Sequence, residues 1–187
     1  MTNKRLWNIP NILTLMRVLL IPVLVFLAYL PEFPWQHWLT AMVFLLAAIT
    51  DWFDGYLARI LDQTSAFGRF LDPVADKLMV AAALVILVQS HHTIWMVMPA
   101  IVIISREIAI SALREWMAEL GKRANVAVSH IGKWKTTAQM TAITVLLVQH
   151  PTLNYLGYVL LYVAVVLTIW SMLIYLKAAW PDLSQSD

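Results

Sequence analysis

Four aspartates, Asp51, Asp54, Asp72 and Asp76, fall close together in a chain that is otherwise strongly apolar. The first two are spaced i,i+3 and the last two i,i+4, so on helices each pair shares a face. The helical rise separates the first pair by roughly 4.5 Å along the axis and the second by about 6 Å. Carboxylates gathered at that range repel one another unless cations lie between them. Two divalent ions about 3.5–4 Å apart meet that need, and all-oxygen ligation favours Mg²⁺ or Mn²⁺. The neighbours suit phosphate chemistry. Gly55 and Gly68 remove side chains where a backbone can approach a ligand, and Arg59 and Arg69 can meet phosphate oxygens. Solvation of helix ends alone requires neither two acid pairs nor the glycines.

The elements that must carry these residues follow from composition. Of 187 residues, 61% are hydrophobic and 13% charged, against roughly 25% charged in a soluble domain. The long apolar runs predict an all-α integral membrane protein, a single domain over residues 1–187, because the helices of a soluble bundle would be amphipathic. The absence of cysteine excludes disulfides and thiolate chemistry. Residues 1–11 place Lys4 and Arg5 before Trp7 and are expected to form an interfacial segment, with no signal-peptide cleavage site after the first apolar run.

Six transmembrane helices are predicted, at about residues 12–30, 35–59, 73–89, 94–120, 136–149 and 153–176. The third is expected to begin at Pro73, a favoured first-turn residue, after a polar loop at 62–68. Asp72 and Asp76 would then lie beside the free N–H groups of a helix start. The short connection makes the second and third helices antiparallel neighbours. Lys and Arg gather on the side that holds both termini, the loop after Arg59 and residues 114–135. By the positive-inside rule that side, and the aspartates with it, is cytoplasmic. His91, His92 and His150 fall in the opposite turns and read as surface residues, with no metal among them.

The pattern Asp51-x-x-Asp54-Gly55-x-x-Ala58-Arg59, an eight-residue gap, then Gly68-x-x-x-Asp72-x-x-x-Asp76 resembles the complete signature of the CDP-alcohol phosphotransferase family. Around it, NIPNILTLMRVLLIPV, SREIAISALREWMAELG and VSHIGKWKTTAQM are similar to the bacterial branch whose acceptor is sn-glycerol 3-phosphate. The likeness runs from Asn8 to the sixth span. It implies six transmembrane helices, a homodimer, and a site open to the cytoplasm at the bacterial inner membrane. It implies two metal ions on Asp51, Asp54, Asp72 and Asp76, with Asp76 also the general base, and contacts from Gly55 and Arg59 to the CDP moiety. The reaction implied moves a phosphatidyl group from CDP-diacylglycerol, a membrane lipid, to the acceptor alcohol and releases CMP. No nucleic-acid partner is expected.

Further candidates complete the two halves of such a site. Thr14 and Arg17, early in the first span, and Gly68 can line the nucleotide cavity. An acceptor bearing its own phosphate needs a second basic site, for which Arg106, Arg114, Lys133 and Lys135 are available. Arg106 is the sharpest, since an unpaired guanidinium inside an apolar helix is costly. Glu107 is expected to be a poor partner for it, because adjacent residues diverge on a helix. Arg114 can instead be an interfacial charge, and Lys133 and Lys135, on either side of Trp134, can simply snorkel. Another acceptor, serine or inositol phosphate, would use the same chemistry. A divalent-cation transporter would need acids near the bilayer midplane and a polar path across, whereas these acids sit at one edge.

Overall fold

The computed structural model describes residues 9–60, 66–119 and 130–183. They form α1 (Ile9–Tyr29), α2 (Gln36–Ile60), α3 (Ala66–His91), α4 (Ile94–Glu119), α5 (His130–Leu147) and α6 (Pro151–Leu183). Among the described residues three helices, over Asn11–Tyr29, Ile94–Glu119 and Pro151–Trp180, are long and apolar enough to cross a membrane. The chain is therefore a multi-pass membrane protein. α2, α3 and α5 carry polar and charged residues at their ends, and several of these line the site together with residues of α1 and α4.

Consecutive helices pack as hairpins, α1 on α2, α3 on α4 and α5 on α6, and α6 also covers α4. The α3–α4 and α5–α6 turns are tight because His92 (φ 46°) and Gln149 (φ 54°) adopt the left-handed conformation that ends a helix. Between α1 and α2, the Gln36 amide donates to the Leu27 and Leu30 carbonyls at 3.0 and 2.9 Å, satisfying groups left open at the α1 C-terminus. Hydroxyls within the helices bond back to their own backbone, as Thr40 does to Gln36, Thr50 to Leu46 and Thr144 to Met140. In an apolar surrounding a hydroxyl without a partner is costly, and the carbonyl four residues earlier is the nearest one.

The core joins all six helices except at their polar ends. Leu24, Phe44, Leu84, Leu87, Met96, Ile103, Ile143 and Leu161 are fully buried. Large apolar side chains such as Leu19, Phe26, Trp95 and Val166 point outward instead, as expected where the solvent is lipid. α5 and α6 pack tightly at Gly157, where a Cβ would lie 2.6 Å from the Leu146 Cγ.

Two expectations are corrected. α3 begins at Ala66, not Pro73, so Pro73 lies inside the helix. Phe67, Phe70 and Leu71 extend the apolar surface toward the N-terminus, and a proline there removes only one ladder bond, which membrane helices tolerate. Asp72 and Asp76 therefore stand beyond the first turn, away from the free N–H groups. Second, α2 and α3 touch only marginally, because α1 packs broadly against both. At the other end of the chain, α5 starts at His130 and α6 continues to Leu183, both beyond the expected limits.

Candidate active site

Because α1 lies between α2 and α3, its residues reach the acids of both. Thr14 and Arg17, one turn apart on one face of α1, are almost wholly buried. The Thr14 hydroxyl donates to Asp72 Oδ1. Arg17 Nη1 lies 2.9 Å from Asp51 Oδ1 and also binds Asp76 Oδ1. The side chains of Asp51 and Asp76 remain 37% and 40% exposed. The carboxylates are thus held from behind by buried donors while their open side meets water.

That open side forms one wall of a cavity of about 300 Å³. Asp51, Asp72 and Asp76 line it on one side, and Arg114, Lys135 and Gln139 on the other. The opposite wall is a charge network. Lys135 does not snorkel: it is buried, and its Nζ donates to Glu107 Oε1 at 2.5 Å. Arg106 Nη1 donates to the same oxygen at 3.1 Å, and its Nη2 donates to Ser171 Oγ on α6 at 3.0 Å. Glu107 is therefore the partner of Arg106 after all. The long guanidinium arm is flexible enough to bend round to the side chain of the adjacent residue. The Arg114 guanidinium stacks on Tyr175, 5.2 Å from the ring centroid, and also borders the cavity. Among the described residues no Cα of α4 comes within 8 Å of one in α5. The Lys135–Glu107 ion pair spans the gap between them.

The structure thus brings Thr14, Arg17, Asp51, Asp72, Asp76, Arg114 and Lys135 to one place. Arg106 is set behind that wall and does not line the cavity. Gly68 is buried on α3 one turn before Asp72. The side chains of Asp54, Gly55, Arg59 and Lys133 lie outside the described residues. Sequence reasoning passed over Glu107 and Gln139 as site residues. The signal for Glu107 was the one that singled out Arg106, a charge within an apolar helix. Gln139 lies four residues after Lys135 and so on the same helix face.

Among the described residues no three acidic or histidine side chains close around a single point in the way a metal cage does. The chemistry of the set nevertheless suits a hard cation. The donors are carboxylate oxygens, the ligands that Mg²⁺ and Mn²⁺ take, and a positive group, the Arg17 guanidinium, sits between two of them.

Residues 7–170 match the family described as CDP-alcohol phosphatidyltransferase. The chain is 58% identical over 179 residues to the CDP-diacylglycerol–glycerol-3-phosphate 3-phosphatidyltransferase of Salmonella choleraesuis (strain SC-B67), covering 95% of this chain and 97% of that protein. It is 56% identical to the proteins of the same description from Shigella flexneri serotype 5b (strain 8401) and Escherichia coli (strain K12), with the same coverage. With Asp51, Asp72 and Asp76 of its signature on one cavity and the match running over most of its length, the chain belongs to the CDP-alcohol phosphatidyltransferase family.

Proposed function

We propose that this protein transfers the phosphatidyl group of CDP-diacylglycerol to sn-glycerol 3-phosphate, giving phosphatidylglycerophosphate and CMP. The observation that carries the reading is one cavity where Asp51, Asp72 and Asp76 outnumber Lys77 on the α2 and α3 side, and Lys135 and Arg114 outnumber Glu107 on the α4 and α5 side. An acceptor with a phosphate at one end and a hydroxyl at the other fits that polarity. Lys135 and Arg114 receive its phosphate, with Lys133 and Arg106 adding positive charge around them. The far hydroxyl then faces the carboxylates. Its oxygen bonds to the phosphorus that carries diacylglycerol, the phosphoanhydride P–O bond to the other phosphate breaks, and CMP leaves with the bonding pair. The hydroxyl proton passes to a carboxylate at the cavity edge, for which Asp76 is the candidate.

Asp51, Asp54, Asp72 and Asp76 would hold two divalent cations, Mg²⁺ or Mn²⁺. Bound there, they supply positive charge to the pyrophosphate and the departing CMP. Thr14 and Arg17 hold the acids in register and, with Gly55, Arg59 and Gly68, border the nucleotide. All six helices are assigned as transmembrane spans of one domain in the bacterial cytoplasmic membrane, with both termini and the site on the cytoplasmic face and the chain paired as a homodimer. The lack of native cysteine makes the topology directly testable, by labelling cysteines introduced at His92 and Gln149 with a membrane-impermeant maleimide from outside.

The deciding assay measures CMP release from CDP-diacylglycerol by purified protein with glycerol 3-phosphate, serine or inositol phosphate offered separately. Release with glycerol 3-phosphate alone is expected. Release with serine alone would overturn the acceptor assignment.

A further inference from the structure

Gln139 is 5% exposed, its Oε1 is buried with no hydrogen-bond partner, and the residue forms part of the cavity wall. A buried amide end without a partner carries a desolvation cost that a folded chain ordinarily avoids. The cost is recovered when a ligand brings the missing partner. The terminal amide torsion of glutamine is broad, so either end can be presented to the cavity. A hydroxyl, being both donor and acceptor, satisfies whichever end it meets.

Position selects which hydroxyl. Gln139 follows Lys135 by one helical turn on the same face of α5, about 6 Å further along the axis. Resting on the reading above, the acceptor phosphate sits at Lys135 and Arg114, and the attacking C1 hydroxyl must face the carboxylates of α2 and α3. One polar group of the acceptor then remains without a partner, the C2 hydroxyl, and on the wall the buried Gln139 Oε1 awaits one.

We infer that Gln139 binds the C2 hydroxyl of the acceptor and is the contact by which this site distinguishes sn-glycerol 3-phosphate from its mirror image. Phosphate and attacking hydroxyl are two points of attachment, and either enantiomer can make both. The two differ in where the C2 hydroxyl projects, so a third fixed partner is what handedness requires. Gln139 is a specificity-determining residue that leaves the bond-making atoms to others.

The test compares three acceptors, sn-glycerol 3-phosphate, sn-glycerol 1-phosphate and 3-hydroxypropyl phosphate, which lacks the C2 hydroxyl. With the unaltered protein, kcat/KM is expected to fall roughly tenfold to a hundredfold for both alternatives, the scale of one unsatisfied buried polar group. In Gln139→Met, which keeps length and removes the amide, activity with sn-glycerol 3-phosphate should drop to the level of 3-hydroxypropyl phosphate. Activity with 3-hydroxypropyl phosphate should stay the same, and the preference between enantiomers should vanish. An equal loss with all three acceptors would mark a packing role and overturn the inference, as would unchanged preferences. If the Met variant does not fold, Gln139→Asn, which withdraws the amide by one methylene, must weaken the same preferences; retention of full enantioselectivity overturns the inference. Absence of CMP release with any glycerol phosphate from the unaltered protein would instead refute the acceptor reading itself.

Discussion

Replacing Arg17 with methionine removes the cation between Asp51 and Asp76 while keeping much of the buried stem. The size of the effect lies between two limits. Breaking a wholly buried ion pair costs roughly 3–5 kcal/mol, and losing an exposed one costs about 0–1 kcal/mol. Here the Arg17 side chain is 2% exposed but its acids are 37% and 40% exposed. Water can therefore reach and screen the two carboxylates that are left facing each other, and a loss of about 2 kcal/mol is expected. For a chain of this length that corresponds to a fall of roughly 4–8 °C in melting temperature. The assay is thermal unfolding of detergent-solubilised protein, in EDTA and again in millimolar Mg²⁺. In EDTA the full drop should appear, whereas Arg17→Lys, which keeps a charge, should lose less. In Mg²⁺ most of the loss should be recovered, because an ion among the carboxylates does what the guanidinium did. An unchanged melting temperature in EDTA, or a drop that Mg²⁺ leaves untouched, would refute the view of Arg17 as counter-charge to the acid cluster.

Asp72→Asn keeps an oxygen able to accept from Thr14 but removes the charge. CMP release should fall by at least about a hundredfold, since metal charge stabilisation amounts to several kcal/mol, while the melting temperature in EDTA stays near normal. Glu107→Gln removes the anion shared by Lys135 and Arg106. Steady-state kinetics should show the KM for glycerol 3-phosphate rising about tenfold with that for CDP-diacylglycerol unchanged, the penalty for a rotamer-rich lysine that the ligand must now order itself. Gly157→Val introduces branches where even a Cβ would lie 2.6 Å from Leu146. It should destabilise the α5–α6 pair by about 1–3 kcal/mol, read in a denaturation curve. Extraction with EDTA should abolish CMP release by the unaltered protein, and Mg²⁺ or Mn²⁺ should restore it while Ca²⁺, with its longer and looser coordination, does so poorly.

The aspartates were legible because each pair is local. Spacing of three and four residues fixes a shared face before any tertiary contact is considered. The long apolar runs gave the helices, and Asn8 onward gave the family likeness. What could not be read was the order of packing around the acids. A short loop made α2 and α3 look like close neighbours, yet α1 lies against both, which only the matching of three helix surfaces decides. That Arg17 also pairs with Asp51 and Asp76 is not legible from its place in α1, because both acids lie on other helices. The start of α3 was misplaced because Pro73 is a good first-turn residue, and nothing local shows that the apolar face continues to Ala66. Arg106 and Glu107 illustrate the limit of a spacing rule. Adjacent Cβ atoms diverge, but a long guanidinium can bend back, and in an apolar interior it will. Gln139 carried no signal of its own, since a buried glutamine is conspicuous only once its missing partner is known.

The position of α1 has a consequence for how the protein is made. Arg17 leaves the ribosome well before Asp51 and Asp76, the latter 59 residues further along. When α1 enters the bilayer its guanidinium has neither acid to bind, and an Arg in a lipid-facing helix is held at the water boundary by the cost of submerging it. The first helix is therefore pinned at a fixed depth by the residue that later binds α2 and α3. α2 and α3 then dock against a segment whose vertical register is already set, so assembly of the acid cluster becomes a lateral search within the membrane plane, with depth settled in advance.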